Sequence, residues 1–186
     1  MADPGFPRLV SLACHDLRTP LATIGGFAKT LQRSDALDER SVRFVELIDA
    51  AAAQMTELLE LLGLAARIAD GRYEPTPLPA DTLELASAGG ARVRAVGTGA
   101  EVETDAPTVS LALAALASAA ARHGGVDGAT WTVSGRELEL RPVTEAAAPV
   151  LTGDDPKDLG ALVARRALAA LGVAVAIDGN RLRVRF

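Results

Sequence analysis

A single cysteine, Cys14, rules out an internal disulfide framework. With two histidines beside it, the chain also lacks the ligands for an ordinary structural zinc site. Aromatic residues make up 3%, so a core drawn from the 49% hydrophobic residues must rest on Leu, Val, Ile and Ala. That composition suits helical packing better than an aromatic-rich sandwich. Positive charge is not in excess: 19 Lys and Arg against 24 Asp and Glu leave a net −5. A general nucleic-acid binder needs a basic surface, so nucleic acid is not expected as a partner. No run reaches the ~18 uninterrupted apolar residues that suggest a membrane span. The richest stretch, Leu58 to Ala66, is interrupted by Glu60 and ends at Arg67. The N-terminus MADPGFPRL has no basic start followed by an apolar run, as a signal peptide would. The expectation is a soluble, cytoplasmic protein with no membrane contact.

What is present falls into two parts. Val10, Cys14, Leu17, Leu21, Ile24, Ala28 and Leu31 alternate spacings of four and three, a heptad seam that predicts a helix packed in coiled-coil fashion. A polar stretch follows, in which Ser34, Asp35 and Asp38 are candidate N-caps. A second seam runs Phe44, Ile48, Ala51, Met55, Leu58, Leu62 and Ala65, and Asp70-Gly71 ends it. Two long amphipathic helices with a short connection form an antiparallel hairpin over residues 1–71. Two helices alone bury little surface, so the hairpin is expected to pair with a second copy as a dimeric four-helix bundle. Prolines at 75, 77 and 79 exclude helix and mark residues 72–79 as a linker.

Residues 80–186 alternate strand and helix signals. Thr82 to Leu85 reads as a short strand. Arg92 to Val96 and Glu101 to Thr104 read as a hairpin around Gly97-Thr98-Gly99. Val109 to Arg122 is an alanine-rich helix, and Asp158 to Leu171 another, stopped by Gly172. Hairpins are predicted around Ser134-Gly135-Arg136 and Asp178-Gly179-Asn180. The fold class expected for the whole is α+β, a helical hairpin followed by an α/β sandwich.

The chemistry gathers at His15, on the edge of the first seam. A neutral imidazole attacks phosphorus well when one nitrogen is held as N–H and the other left free. Asp16 can accept the Nδ1 proton and leave Nε2 outward. Arg18, one turn on, can offset phosphoryl charge. Thr19 lies four residues on, over the same helical face, and can hold a water. Pro20 frees the carbonyl of Asp16 from its helix hydrogen bond.

The run from Ser11 to Phe27, SLACHDLRTPLATIGGF, resembles the H-box of sensor histidine kinases, the phosphoacceptor segment of their dimerisation and histidine-phosphotransfer domain. The resemblance implies that His15 is phosphorylated, that Asp16 acts as base, and that Thr19 assists hydrolysis of a partner's phosphoaspartate. It also implies a homodimer, response-regulator receiver domains as partners, and an ATP-binding lobe after the bundle. On the helix surface after His15, Thr23, Gly26, Phe27 and Thr30 are the residues expected to meet a regulator, with Phe27 as an apolar anchor.

The second half departs from the family pattern. Asp105 to Gly124 resembles the helix whose asparagines serve magnesium and nucleotide, yet the asparagine positions hold Ala115 and Ala119, followed by Arg122 and His123. Magnesium takes oxygen ligands, and a methyl group offers none. Pro142 to Pro149 has neither the Asp nor the glycines of the first glycine-rich box, and Lys157 to Leu162 keeps one glycine of the last. The lobe therefore reads as a degenerate ATPase-like domain without ATP, with magnesium expected only from the regulator. The function this implies is a phosphorelay histidine phosphotransferase, similar to the kinase-like histidine phosphotransferases. The alternatives are a response-regulator phosphatase or a pseudo-kinase regulatory dimer and, last, an active small histidine kinase.

Overall fold

The computed structural model describes residues 6–33, 37–88 and 93–186. The chain divides into two compact units, Met1–Gly71 and Arg72–Phe186.

The first unit is a hairpin of α1 (Phe6–Gln32) and α2 (Glu39–Ala69). Asp38 caps α2, its carboxylate accepting from Ser41 N at 2.7 Å; Ser34 and Asp35 lie outside the described residues. Gly71 ends α2 at φ +66°, a conformation that costs glycine little. The α1 seam divides into two rows. Cys14, Leu21 and Ala28 are buried, whereas Leu17, Ile24 and Leu31 are about half exposed. On α2 the structure corrects the sequence. The buried positions of α2 are Val45, Ala52, Leu61, Gly63, Leu64 and Ala66, whereas Phe44, Ile48, Met55 and Leu58 of the predicted seam are exposed. The apolar stripe of α2 is wider than the predicted seam, and those four seam residues lie on its exposed edge.

The second unit carries a five-stranded mixed sheet in the order β2-β4-β5-β7-β6. Its strands are β2 (Arg94–Gly99), β4 (Thr130–Gly135), β5 (Glu137–Arg141), β6 (Ala174–Asp178) and β7 (Arg181–Arg185). β2 and β4 are parallel; the other pairings are antiparallel and include the two predicted hairpins β4–β5 and β6–β7. A separate antiparallel pair joins β1 (Leu78–Asp81) to β3 (Glu101–Thr104). The helices are α3 (Thr82–Ser87), α4 (Ala106–Gly124), α5 (Ala148–Thr152) and α6 (Leu159–Ala170). Strand alternation sends Trp131, Val133, Leu138, Leu140, Leu182 and Val184 into a core shared with Leu113 and Leu116 of α4 and Leu168 of α6. The opposite sheet face carries an ion-pair ladder, in which Glu139 accepts from Arg183 Nε at 2.9 Å, Arg181 Nη1 at 3.1 Å and Arg141 Nη2 at 2.9 Å. Hydrogen bonding from Arg183 holds the Glu139 carboxyl below the usual carboxylate range.

Two local predictions fail, each for a definable reason. Thr82–Leu85 is the start of helix α3, not a strand, because Asp81 caps it by accepting from Leu83 N at 2.8 Å and Glu84 N at 3.2 Å. Thr82 then spends its hydroxyl on the backbone, donating to Gly135 O at 2.6 Å and accepting from Ala100 N at 3.0 Å. Nor do Gly97-Thr98-Gly99 form a turn. They continue β2, which pairs with β4, while β3 joins β1. Gly97, at φ +123°, sits where a Cβ would overlap the Val133 carbonyl, and a Cβ on Gly99 would overlap the Asp81 carboxylate. These glycines permit close approach within a strand, the second meaning of glycine in a β pattern.

Candidate functional site

His15 lies in the third turn of α1, and Asp16 beside it brings Oδ1 to 3.2 Å from His15 Nδ1; both side chains are 80% exposed. With the proton on Nδ1, the ring donates to Asp16 and presents Nε2 to solvent as a free lone pair. Arg18 and Thr19 join His15, Ala22 and Thr23 in lining a shallow open groove along α1. Helical periodicity separates this groove from the apolar face. At 3.6 residues per turn, His15 and Ala22 follow the buried row by one residue, whereas Leu17, Ile24 and Leu31 follow it by three and fall on its other side. On α2, Ile48 and Met55 also lie three residues beyond Val45 and Ala52. In an antiparallel pair, equal offsets place both rows on one face of the hairpin, away from His15.

The four residues expected to meet a regulator are all exposed. Thr23 donates to Thr19 O at 3.1 Å and Thr30 to Gly26 O at 2.8 Å, so both hydroxyls are turned onto the helix backbone. A Cβ at Gly26 would meet nothing within 4 Å, and Phe27, at 67% exposed, stands clear of the hairpin's own core. Phe27 is spaced three residues from Ile24 and four from Leu31, so it borders the apolar row as well as the threonine row.

Arg67, read from the sequence only as the end of an apolar stretch, belongs to this region too. Gly63 packs against Cys14, and the Arg67 guanidinium lies over Gly63, where a Cβ would be 3.7 Å from Nη1. Burial raises the pKa of the Cys14 thiol, while Arg18 and Arg67 act to lower it. No spacing rule links Arg67 to Cys14, because the two come together only when α2 folds back on α1.

In the second unit, the positions that the resemblance links to nucleotide lie on α4 and at the start of α6. Ala119 is buried in the core and Ala115 packs against it, so neither offers an oxygen to a metal ion or phosphate. Asp158 is the N-cap of α6. Its Oδ1 accepts from Ala161 N at 3.0 Å, and its Oδ2 accepts from Arg122 Nη1 at 2.9 Å and lies 3.0 Å from His123 Nε2. The Asp158 side chain is only 4% exposed. His123, in the last turn of α4, meets the same carboxylate. The two cations here face a protein carboxylate, and positions 115 and 119 carry methyl groups. Among the described residues, no group of three His, Cys, Asp or Glu side chains is arranged to hold a metal ion. No helix among them is long and apolar enough to cross a membrane.

Comparison with known proteins agrees with this architecture. No curated protein matches the chain. The crystal structure of full-length ShkA in complex with AMPPNP superposes over 96% of this chain with a TM-score of 0.54 and 20% identity. The chain spans 44% of the length of that ShkA chain. The Acinetobacter baumannii histidine kinase AdeS matches over 91% of this chain and 94% of its own, with a TM-score of 0.51 and 16% identity. At those identities the likeness concerns the fold. Residues 8–71 match the family profile of the His Kinase A (phospho-acceptor) domain. The hairpin that carries His15 thus matches the His Kinase A (phospho-acceptor) domain, and the chain as a whole shares the fold of these two histidine-kinase structures.

Proposed function

We propose that this protein is a cytoplasmic histidine phosphotransferase that exchanges phosphate between His15 and response-regulator aspartates as a homodimer, without binding ATP. The observation that carries the reading is the exposed imidazole whose Nδ1 faces Asp16 at 3.2 Å. In the forward step the Nε2 lone pair attacks the phosphorus of an aspartyl phosphate. The P–N bond forms as the P–O bond to the aspartate breaks, and the aspartate leaves as a carboxylate with the electron pair. Asp16 keeps the Nδ1 proton in place and balances the positive charge that develops on the ring. Arg18 sits one turn on, within the same groove, to offset the phosphoryl oxygens. Transfer of this kind depends on positioning, with magnesium supplied by the regulator. Phe27, Gly26, Thr23 and Thr30 form the docking surface beside the groove. The second unit's lost oxygen ligands support the ATP-free reading.

Thr19 favours a second reading, hydrolysis of the regulator's phosphoaspartate, because its hydroxyl shares the groove with His15 and can orient a water. Incubation with a phosphorylated regulator separates the two. Acid-labile label on the protein, lost in His15→Gln, marks transfer. Phosphate released without label, and reduced in Thr19→Ala, marks hydrolysis. Labelling from magnesium-ATP alone overturns the ATP-free reading.

A further inference from the structure

We infer that Asp158 is a built-in anion that closes the second unit to phosphate ligands. The inference rests on the ATP-free reading and gives it a physical cause beyond missing ligands. A helix N-terminus with cations beside it is a ready site for a phosphate, because its first amides have no partners within the helix. α6 has that character: a 12-residue helix whose first turn faces Arg122 and His123 from the end of α4. Here the anion is Asp158. One carboxylate oxygen caps the helix and the other collects the guanidinium and the imidazole.

An incoming phosphate would compete for the same donors against a group held at zero translational cost. It would also meet a carboxylate of its own sign. The buried Asp158 therefore excludes polyphosphates while tying α4 to α6 across the helical layer. Arg122 is 61% exposed at the side chain, so its outer face stays open to solvent, and only the carboxylate separates the guanidinium from the α6 amides.

The test is polyphosphate binding by the full chain. In Asp158→Asn the amide still caps α6, but its NH2 group cannot accept from Arg122. Isothermal titration with pyrophosphate is expected to show no binding to the parent. Asp158→Asn should gain affinity by at least roughly tenfold, the scale of one charge-assisted hydrogen bond. Asp158→Asn combined with Arg122→Gln should lose that gain. Asp158→Ser, which keeps a capping oxygen, replaces the Asn variant if circular dichroism shows it unfolded. A folded variant with no gain overturns the inference and leaves Asp158 as a structural tie only. Pyrophosphate binding by the parent overturns it as well. The ATP-free reading fails separately, through magnesium-ATP labelling of the parent, and survives if only the Asp158 variants behave unexpectedly.

Discussion

Replacing Ile24 by Asp should break self-association without unfolding the hairpin. Ile24 is 49% exposed on its own hairpin, as are Leu17 at 52%, Leu31 at 46%, Ile48 at 47% and Met55 at 54%. Full burial of such a side chain is worth about 1.5–3 kcal/mol, so covering the remaining half yields about 1 kcal/mol each. Five residues on two protomers give roughly 10 kcal/mol gross, comparable with the cost of association. Ile24→Asp removes about 1 kcal/mol per protomer and sets two carboxylates in an apolar seam. The dimer dissociation constant should rise at least about 30-fold, since every 1.4 kcal/mol is tenfold. Sedimentation equilibrium over a range of concentrations measures this, with circular dichroism to confirm that helix content is kept. Ala53→Asp, an exposed position on the other side of the Ala52 row, should leave the dimer unchanged. A parent that stays monomeric at tens of micromolar, or an Ile24→Asp chain that dimerises as the parent does, would refute the argument from the exposed rows.

Other outcomes follow from single residues. Thr82→Val leaves the Gly135 carbonyl and the Ala100 amide without their hydroxyl partner, and thermal melting should show a loss of about 2 kcal/mol. Leu140→Ala, at a fully buried strand position, should cost about 2–5 kcal/mol in denaturant unfolding. Gly97→Ala should destabilise the second unit by more than an ordinary strand substitution, because both the positive φ and the Val133 carbonyl oppose a Cβ. Glu139 titrates below its ordinary value in the folded state, so its contribution to stability is present above the unfolded pKa and is lost as pH falls through the lowered one. The melting-temperature difference between parent and Glu139→Gln should therefore be largest near neutrality and shrink in acid.

The pattern of residues alone determined much of this protein. Heptad spacing specified two helices, because only an amphipathic helix repeats apolar residues at three and four. The Ser11–Phe27 run singled out His15 as the candidate phosphoacceptor, since the neighbours that bear on its chemistry lie a turn or less away. Ser134-Gly135-Arg136 and Asp178-Gly179-Asn180 gave two hairpins for the same reason: their geometry is local. What tertiary structure decided was every choice between local equivalents. Which edge of a broad apolar stripe faces α1 depends on the partner helix, so Val45 is inside and Phe44 outside. Whether Gly97 turns the chain or admits a neighbouring strand depends on β4, some thirty residues on. Asp158 looked like one more acid on a helix; only the return of α6 against α4 makes it the partner of Arg122 and His123. Contacts between residues far apart in sequence leave no spacing to read, because the chain between them sets no fixed distance until the whole domain has closed.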